Sequence, residues 1–75
     1  MEIQQRFGLI IRKLRQQKNI SQERMALDAG IDRTYIGDIE NGSRNISLQI
    51  IEKLANYLGM PISEIFKLIE NEPIK

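Results

Sequence analysis

The chain has 75 residues, with 11 Lys or Arg, 10 Asp or Glu, a formal charge of +1, and neither His nor Cys. So short a chain is read as a single domain, residues 1–75, that buries only about 60% of its unfolded surface. The absent Cys and His exclude disulfides, nearly every zinc or transition-metal site, cysteine nucleophiles and histidine acid–base pairs, so no metal and no cofactor is expected.

Small domains without such staples depend on efficient helix packing, on a partner subunit, or on both. Hydrophobic residues make up 41% and charged residues 28%, the balance of an ordinary soluble protein. No apolar run approaches the about 20 residues that span a bilayer. The N-terminus lacks the basic-then-apolar order of a secretory signal. The cytoplasm is the expected compartment, and no membrane partner is expected.

Taken in order, the periodicities are helical. Ile3, Phe7, Ile10, Ile11 and Leu14 recur at helical spacing and predict a first helix ending near Lys18. Ser21 opens a second segment that closes at Gly30. Asp32 opens a third, running to Glu40 before Asn41-Gly42. Ser47 opens a fourth, running to Leu58 before Gly59 and Pro61, and Ser63 opens a fifth, running to about Glu70. These four short polar side chains are N-cap candidates, each able to accept a bond from an orphan N–H. Apolar residues flanking three of the starts form hydrophobic staples: Ile20 with Met25, Ile31 with Ile36, and Ile46 with Ile51. The fifth start lacks one, since Ile62 pairs with Lys67. No strand-like alternation and no repeat appears, so the fold class is all-α with five short helices.

The second and third segments carry the chemistry. Ala26 is small where another helix must approach, Gly30 suits a left-handed turn, and about one residue separates it from the Asp32 cap. That sharp corner is a helix-turn-helix arrangement, whose second helix enters the DNA major groove, although any structural helix corner has similar spacing. The outer face of the third helix presents Asp32, Arg33, Thr34, Gly37 and Asp38. Arg33 can pair bidentately with guanine, and Thr34 can touch phosphate, a base edge or a thymine methyl. Gly37 costs up to about 1 kcal/mol inside a helix. Either a ligand comes close there, or a neighbouring helix crowds it.

Charge is unevenly placed. Residues 6–33 hold seven basic and three acidic side chains, whereas residues 49–75 hold three basic and four acidic. Arg12, Lys13, Arg15 and Lys18 are read as phosphate contacts or as an ordinary solvated face. The segment Asn41–Asn45 adds donors, and Gln22 and Ser47 stand at helix starts whose exposed N–H groups suit phosphate.

Ser21-Gln22, Ala26, Gly30, Ile36 and Ile39-Glu40-Asn41-Gly42 resemble the helix-turn-helix family of lambda repressor, Cro and the xenobiotic response element regulators, across roughly residues 6–70. A closer resemblance is to the controller proteins of restriction–modification systems, carried by Asp32-Arg33-Thr34-Tyr35-Ile36, Ile39-Glu40, Arg44-Asn45 and Ser47. The resemblance implies a five-helix, lambda-repressor-like fold that binds double-stranded operator DNA as a dimer. It further implies self-regulation and timed endonuclease expression, with RNA polymerase as a further partner.

Gln22, Arg33, Thr34, Tyr35, Arg44, Asn45 and Ser47 match the family's DNA-contacting positions. Tyr35 is either an aromatic reader of DNA or edge packing with a hydroxyl contact to backbone. Two departures matter: Gly37-Asp38 replaces the usual Ser-Gly, and Ile46 replaces a common Pro. Asp38 is either an acceptor for cytosine N4 or the partner of a nearby Arg.

In the last third, Ile51, Leu54, Ala55 and Leu58 form a core stripe, with Ile50 and Tyr57 on an adjacent face. Ile65, Phe66, Leu68 and Ile69 are too many for one face of a helix. A homodimer is expected through Ile50, Leu54, Tyr57, Phe66 and Ile69, with residues 62–71 as the dimerisation helix. A two-fold dimer implies half-sites about one helical turn apart on a pseudopalindromic operator. The alternative is an antitoxin or phage-type repressor of the same fold that also binds a partner protein, distinguishable by its neighbouring gene. No nucleophile has a partnering base and no carboxylate pair has an evident pocket, so an enzyme is not expected, and no small-molecule ligand is implied.

Overall fold

Three serine or aspartate side chains set the helix starts. In the computed structural model, which describes residues 1–71, Ser21 Oγ accepts from the Arg24 N–H at 3.0 Å, and Ser47 Oγ accepts from the Ile50 N–H at 3.1 Å. Asp32 Oδ2 accepts from the N–H groups of Thr34 and Tyr35 at 3.0 and 3.4 Å. Each bond satisfies a backbone donor that the first helical turn leaves without a partner. The resulting elements are α1 (Ile3–Gln17), α2 (Gln22–Ala29), α3 (Arg33–Asn41), α4 (Leu48–Leu58) and α5 (Ile62–Asn71).

Glycine closes α2 and α3 at positive φ, with Gly30 at 71° and Gly42 at 72°. The Ile31 N–H then reaches the Ala26 carbonyl, and the Ser43 N–H reaches the Asp38 carbonyl, both at 3.0 Å. These bonds wrap orphan carbonyls at the two helix ends and turn the chain sharply. Between α2 and α3 only Gly30, Ile31 and the Asp32 cap remain, which is the corner expected from their spacing.

The fifth helix departs from expectation. It begins at Ile62, so Ser63 lies within its first turn and is not its cap. The Pro61 carbonyl accepts from the N–H groups of Glu64 and Ile65 at 3.0 and 3.4 Å. Pro61 therefore stands just before the first helical residue, where its missing N–H costs no helical bond.

The core gathers Phe7, Ile10 and Ile11 of α1, Met25 of α2, Ile36 and Ile39 of α3, Leu54 of α4, and Ile65 and Ile69 of α5. Burying one such side chain contributes about 1.5–3 kcal/mol. Ile3, expected on the α1 stripe, is instead 51% exposed at the helix's first turn.

Two expected dimer residues are corrected here. Leu54 and Ile69 are both 0% exposed within the single chain, so neither offers surface to a partner. For Ile69 the cause is the position of its helix. Helix α5 packs on α1 as well as on α4, and the Phe7 and Phe66 rings stand 6.1 Å apart between α1 and α5. The second apolar side of α5 is covered by the chain's own first helix.

Candidate nucleic-acid interface

Two side-chain clusters flank α3. In the first, the side chains of Gln22 at the start of α2 and of Arg33 border Gly37. A methyl placed at Gly37 would stand 3.6 Å from Arg33 Nη1 and 4.0 Å from Gln22 Oε1, with no backbone near it. Crowding by a neighbouring helix therefore does not account for this glycine. Gly37→Ala should raise the stability of the free chain by up to about 1 kcal/mol, because alanine restores helix propensity without a clash. A thermal melt that moved downward would contradict this.

The second cluster joins Tyr35, Asp38 and Arg44. Arg44 Nε donates to Asp38 Oδ2 at 2.9 Å, and its guanidinium carbon lies 4.8 Å from the Tyr35 ring centroid. Of the two roles open to Asp38, pairing with a nearby arginine is the one adopted. Tyr35 packs partly against the core and carries the cation on its face. Arg33 and Thr34 are exposed at the N-terminal end of α3. Asn45 and Ser47 are engaged elsewhere: Asn45 Oδ1 accepts from Gln4 Nε2 at 3.3 Å, and Ser47 caps α4.

Beneath the first cluster lies a charged centre that the sequence did not single out. Glu40 is 5% exposed. Its Oε2 accepts from Arg15 Nε at 2.7 Å, and its Oε1 accepts from Arg15 Nη2 and Gln22 Nε2, each at 3.0 Å. Arg12 Nε adds a longer bond to Oε1 at 3.5 Å, and Arg15 Nη1 donates to the Ile20 carbonyl at 2.7 Å. Burial alone would raise the Glu40 pKa. The bonds from Arg15, Gln22 and Arg12, with the Arg15 charge, outweigh it and hold the carboxyl below its ordinary value. The Glu40 hydrogen bond raises the Arg15 pKa against the opposing effect of burial.

The expected phosphate role of Arg15 is thereby corrected, since its guanidinium is spent on Glu40 and Ile20. Arg12 is likewise turned toward Glu40 and Asn41. A signal for this centre existed in the chain. Glu40 stands at i+4 from Ile36, and Arg15 at i+4 from Ile11, so each charge occupies a core-facing helical register.

Apolar surface collects where α4 meets α5. Leu48 is 81% and Ile62 40% exposed, and together with Ile51 they line one groove. Ile50 and Tyr57 lie on the opposite flank of α4, where the Tyr57 hydroxyl donates to Asp28 Oδ2 of α2 at 3.1 Å. Among the described residues no helix is long and apolar enough to cross a membrane, and no acidic cluster could hold a metal ion.

The helix-turn-helix family profile matches residues 11–65. Control protein C.MunI from a Mycoplasma species is 47% identical over 72 residues, which cover 95% of this chain and 97% of that protein. The crystal structure of the restriction–modification controller protein C.AhdI from Aeromonas hydrophila is 44% identical, with a TM-score of 0.80 over 84% of this chain and 96% of that one. The controller protein C.Esp1396I, solved as a tetramer on its natural 35-base-pair operator, is 28% identical, with a TM-score of 0.84 over 93% of this chain and 92% of that one. The short corner between α2 and α3, the five-helix order and these likenesses agree: the chain belongs to the helix-turn-helix family, among the control proteins of restriction–modification systems.

Proposed function

We propose that this chain is a dimeric, sequence-specific DNA-binding regulator that binds its own operator and times endonuclease expression. One observation carries the reading: α3 leaves Arg33 and Thr34 exposed beside Gly37, whose missing side chain is bordered only by the tips of Arg33 and Gln22 and by no other helix backbone. A DNA edge or phosphate can approach the backbone there. Arg33 supplies bidentate readout, and Gln22, Thr34, Tyr35, Arg44, Asn45 and the α4 N-terminus at Ser47 fix the register on the duplex. The chain acts by binding and not by catalysis, in the cytoplasm where the operator lies.

Dimerisation belongs to the side of the molecule where α4 meets α5. Leu48, Ile62 and the half-buried Phe66 supply its apolar surface, with Ile50 and Tyr57 as candidates on the flank toward α2. A two-fold pair places two α3 helices on successive major grooves, about one helical turn apart.

Selection from random-sequence duplexes tests the reading. A pseudopalindromic site should emerge, protected by a species of twice the chain mass. Arg33→Ala should then lose about 1–3 kcal/mol of discrimination at one base pair of each half-site. Gly37→Ala should weaken operator binding even while it stabilises the free protein. Recovery of no preferred sequence at any salt concentration would sink the proposal.

A further inference from the structure

On α3 a carboxylate stands one turn beyond Thr34, on a surface that must face a polyanion. Asp38 is joined to Arg44 by a 2.9 Å bond to Nε, and the Arg44 guanidinium lies over Tyr35. The residue before Arg44 is tied to Asp38, because the Ser43 N–H and hydroxyl donate to the Asp38 carbonyl at 3.0 and 3.2 Å. The Arg44 and Asp38 side chains are 53% and 31% exposed. An ion pair so open to solvent does little for folding. What it does change is the charge that this loop offers to DNA.

We propose that Asp38 is a specificity-determining residue that clamps Arg44 against Tyr35 and so withholds its charge from indiscriminate phosphate contact. The inference rests on α3 as the DNA-facing helix. Binding to unrelated sequence is almost wholly electrostatic, so a neutralised arginine weakens it directly. Operator binding suffers less. The clamp occupies Nε, while the terminal amino groups keep donors that can bond in register to a base or a phosphate.

The test compares the duplex selected by the wild-type chain with a scrambled duplex of equal length, by fluorescence anisotropy from about 50 to 200 mM salt. Asp38→Asn should tighten scrambled binding by about 3–10-fold at the lowest salt and steepen the salt slope by about one. Operator affinity should change by a smaller factor, so discrimination falls. In an Arg44→Ala background the same replacement should leave the slope unchanged. Asp38→Ser, which keeps the backbone bonds of the turn, should repeat the pattern, and circular dichroism checks that each variant is folded. An unchanged scrambled affinity, an equal gain for the operator, or a steeper slope that persists without Arg44 would each overturn the clamp. Failure of the wild-type chain to bind any duplex would instead remove the DNA-facing reading, and the clamp with it.

Discussion

Glu40→Gln is expected to cost about 3–5 kcal/mol of folding stability, the usual consequence of removing one partner from a buried ion pair. A domain of this size has about 4–11 kcal/mol in total, so the loss is a large share of the whole. Four donor atoms from Arg12, Arg15 and Gln22 converge on the Glu40 carboxylate. Its side chain is 0% exposed and that of Arg15 is 12% exposed. Glutamine keeps the shape but removes the charge, leaving the Arg15 cation enclosed beside a neutral amide. The contrast is Arg24 with Asp28, a helix-surface pair whose side chains are 66% and 31% exposed. Removing that pair should move stability by less than about 1 kcal/mol.

The same centre gives a pH signature. The Glu40 pKa is lower in the folded chain than its ordinary value of 4.5. Its stabilisation is therefore fully present above that value and is lost as the pH falls through the lower folded-state pKa. The wild-type melting temperature should drop in that acid window, and the gap between wild type and Glu40→Gln should narrow there. Melts at one fixed chain concentration make the comparison, since dimerisation adds its own stability. A gap that stayed constant across the acid range would show that Glu40 is not charged and paired in the folded chain.

Gly8→Ala should also be severe, and its sign is opposite to what helix propensity implies. Within α1, alanine would gain up to about 1 kcal/mol over glycine. Here, however, the α1 backbone lies directly on the end of α3. An alanine methyl would overlap the Ile39 carbonyl oxygen and stand 2.9 Å from that of Glu40. Those atoms are helix backbone and cannot swing aside as a side-chain tip would. Overpacking of this kind typically costs about 1–3 kcal/mol, and a rigid obstacle belongs at the upper end. The separation of α1 from α3 would also lengthen the Arg15 bonds to Glu40, so the two substitutions should be non-additive. Urea unfolding of the two single variants and the double variant measures both effects. A Gly8→Ala midpoint equal to or above wild type would refute the close approach. Gly37→Ala, the same change where an added methyl meets only side-chain tips at ordinary contact distance, should shift the midpoint upward.

Much of the fold was legible locally. Ser21, Asp32 and Ser47 cap their helices as expected, because a cap bonds to backbone two or three residues away and needs no tertiary partner. Gly30 and Gly42 end theirs for the same local reason. Ser63 misled because α5 begins one residue before it, with the Pro61 carbonyl accepting the first backbone bonds. The sequence reading passed over Gly8, whose requirement comes from a helix more than thirty residues away.

The candidate interface divides in the same way. Arg33 and Thr34 were legible as outward residues because α3 has one apolar stripe, and Ile36 and Ile39 fix which way it faces. Arg15 and Arg12 were counted with the basic surface, since charge alone does not reveal that a carboxylate waits on another helix. Leu54 and Ile69 were assigned to a partner because the number of faces that α4 and α5 bury depends on how many helices surround each.

The cap residues, turn glycines and apolar periodicity thus determined by themselves that this is an all-α domain and where most of its helices begin and end, and the lack of Cys excluded a disulfide. Those properties depend on bonds between residues close in the chain. Tertiary structure decided which charges serve the interior and which stay at the surface. Of the basic residues in the N-terminal half, Arg15 is consumed by Glu40, while Arg33 stays exposed at the head of α3. It also decided that the surplus apolar residues of α5 first complete the chain's own core, leaving Leu48 and Ile62 as the apolar surface between α4 and α5. Burial depends on every neighbour at once, so a local pattern shows which way a helix faces but not how many partners cover it.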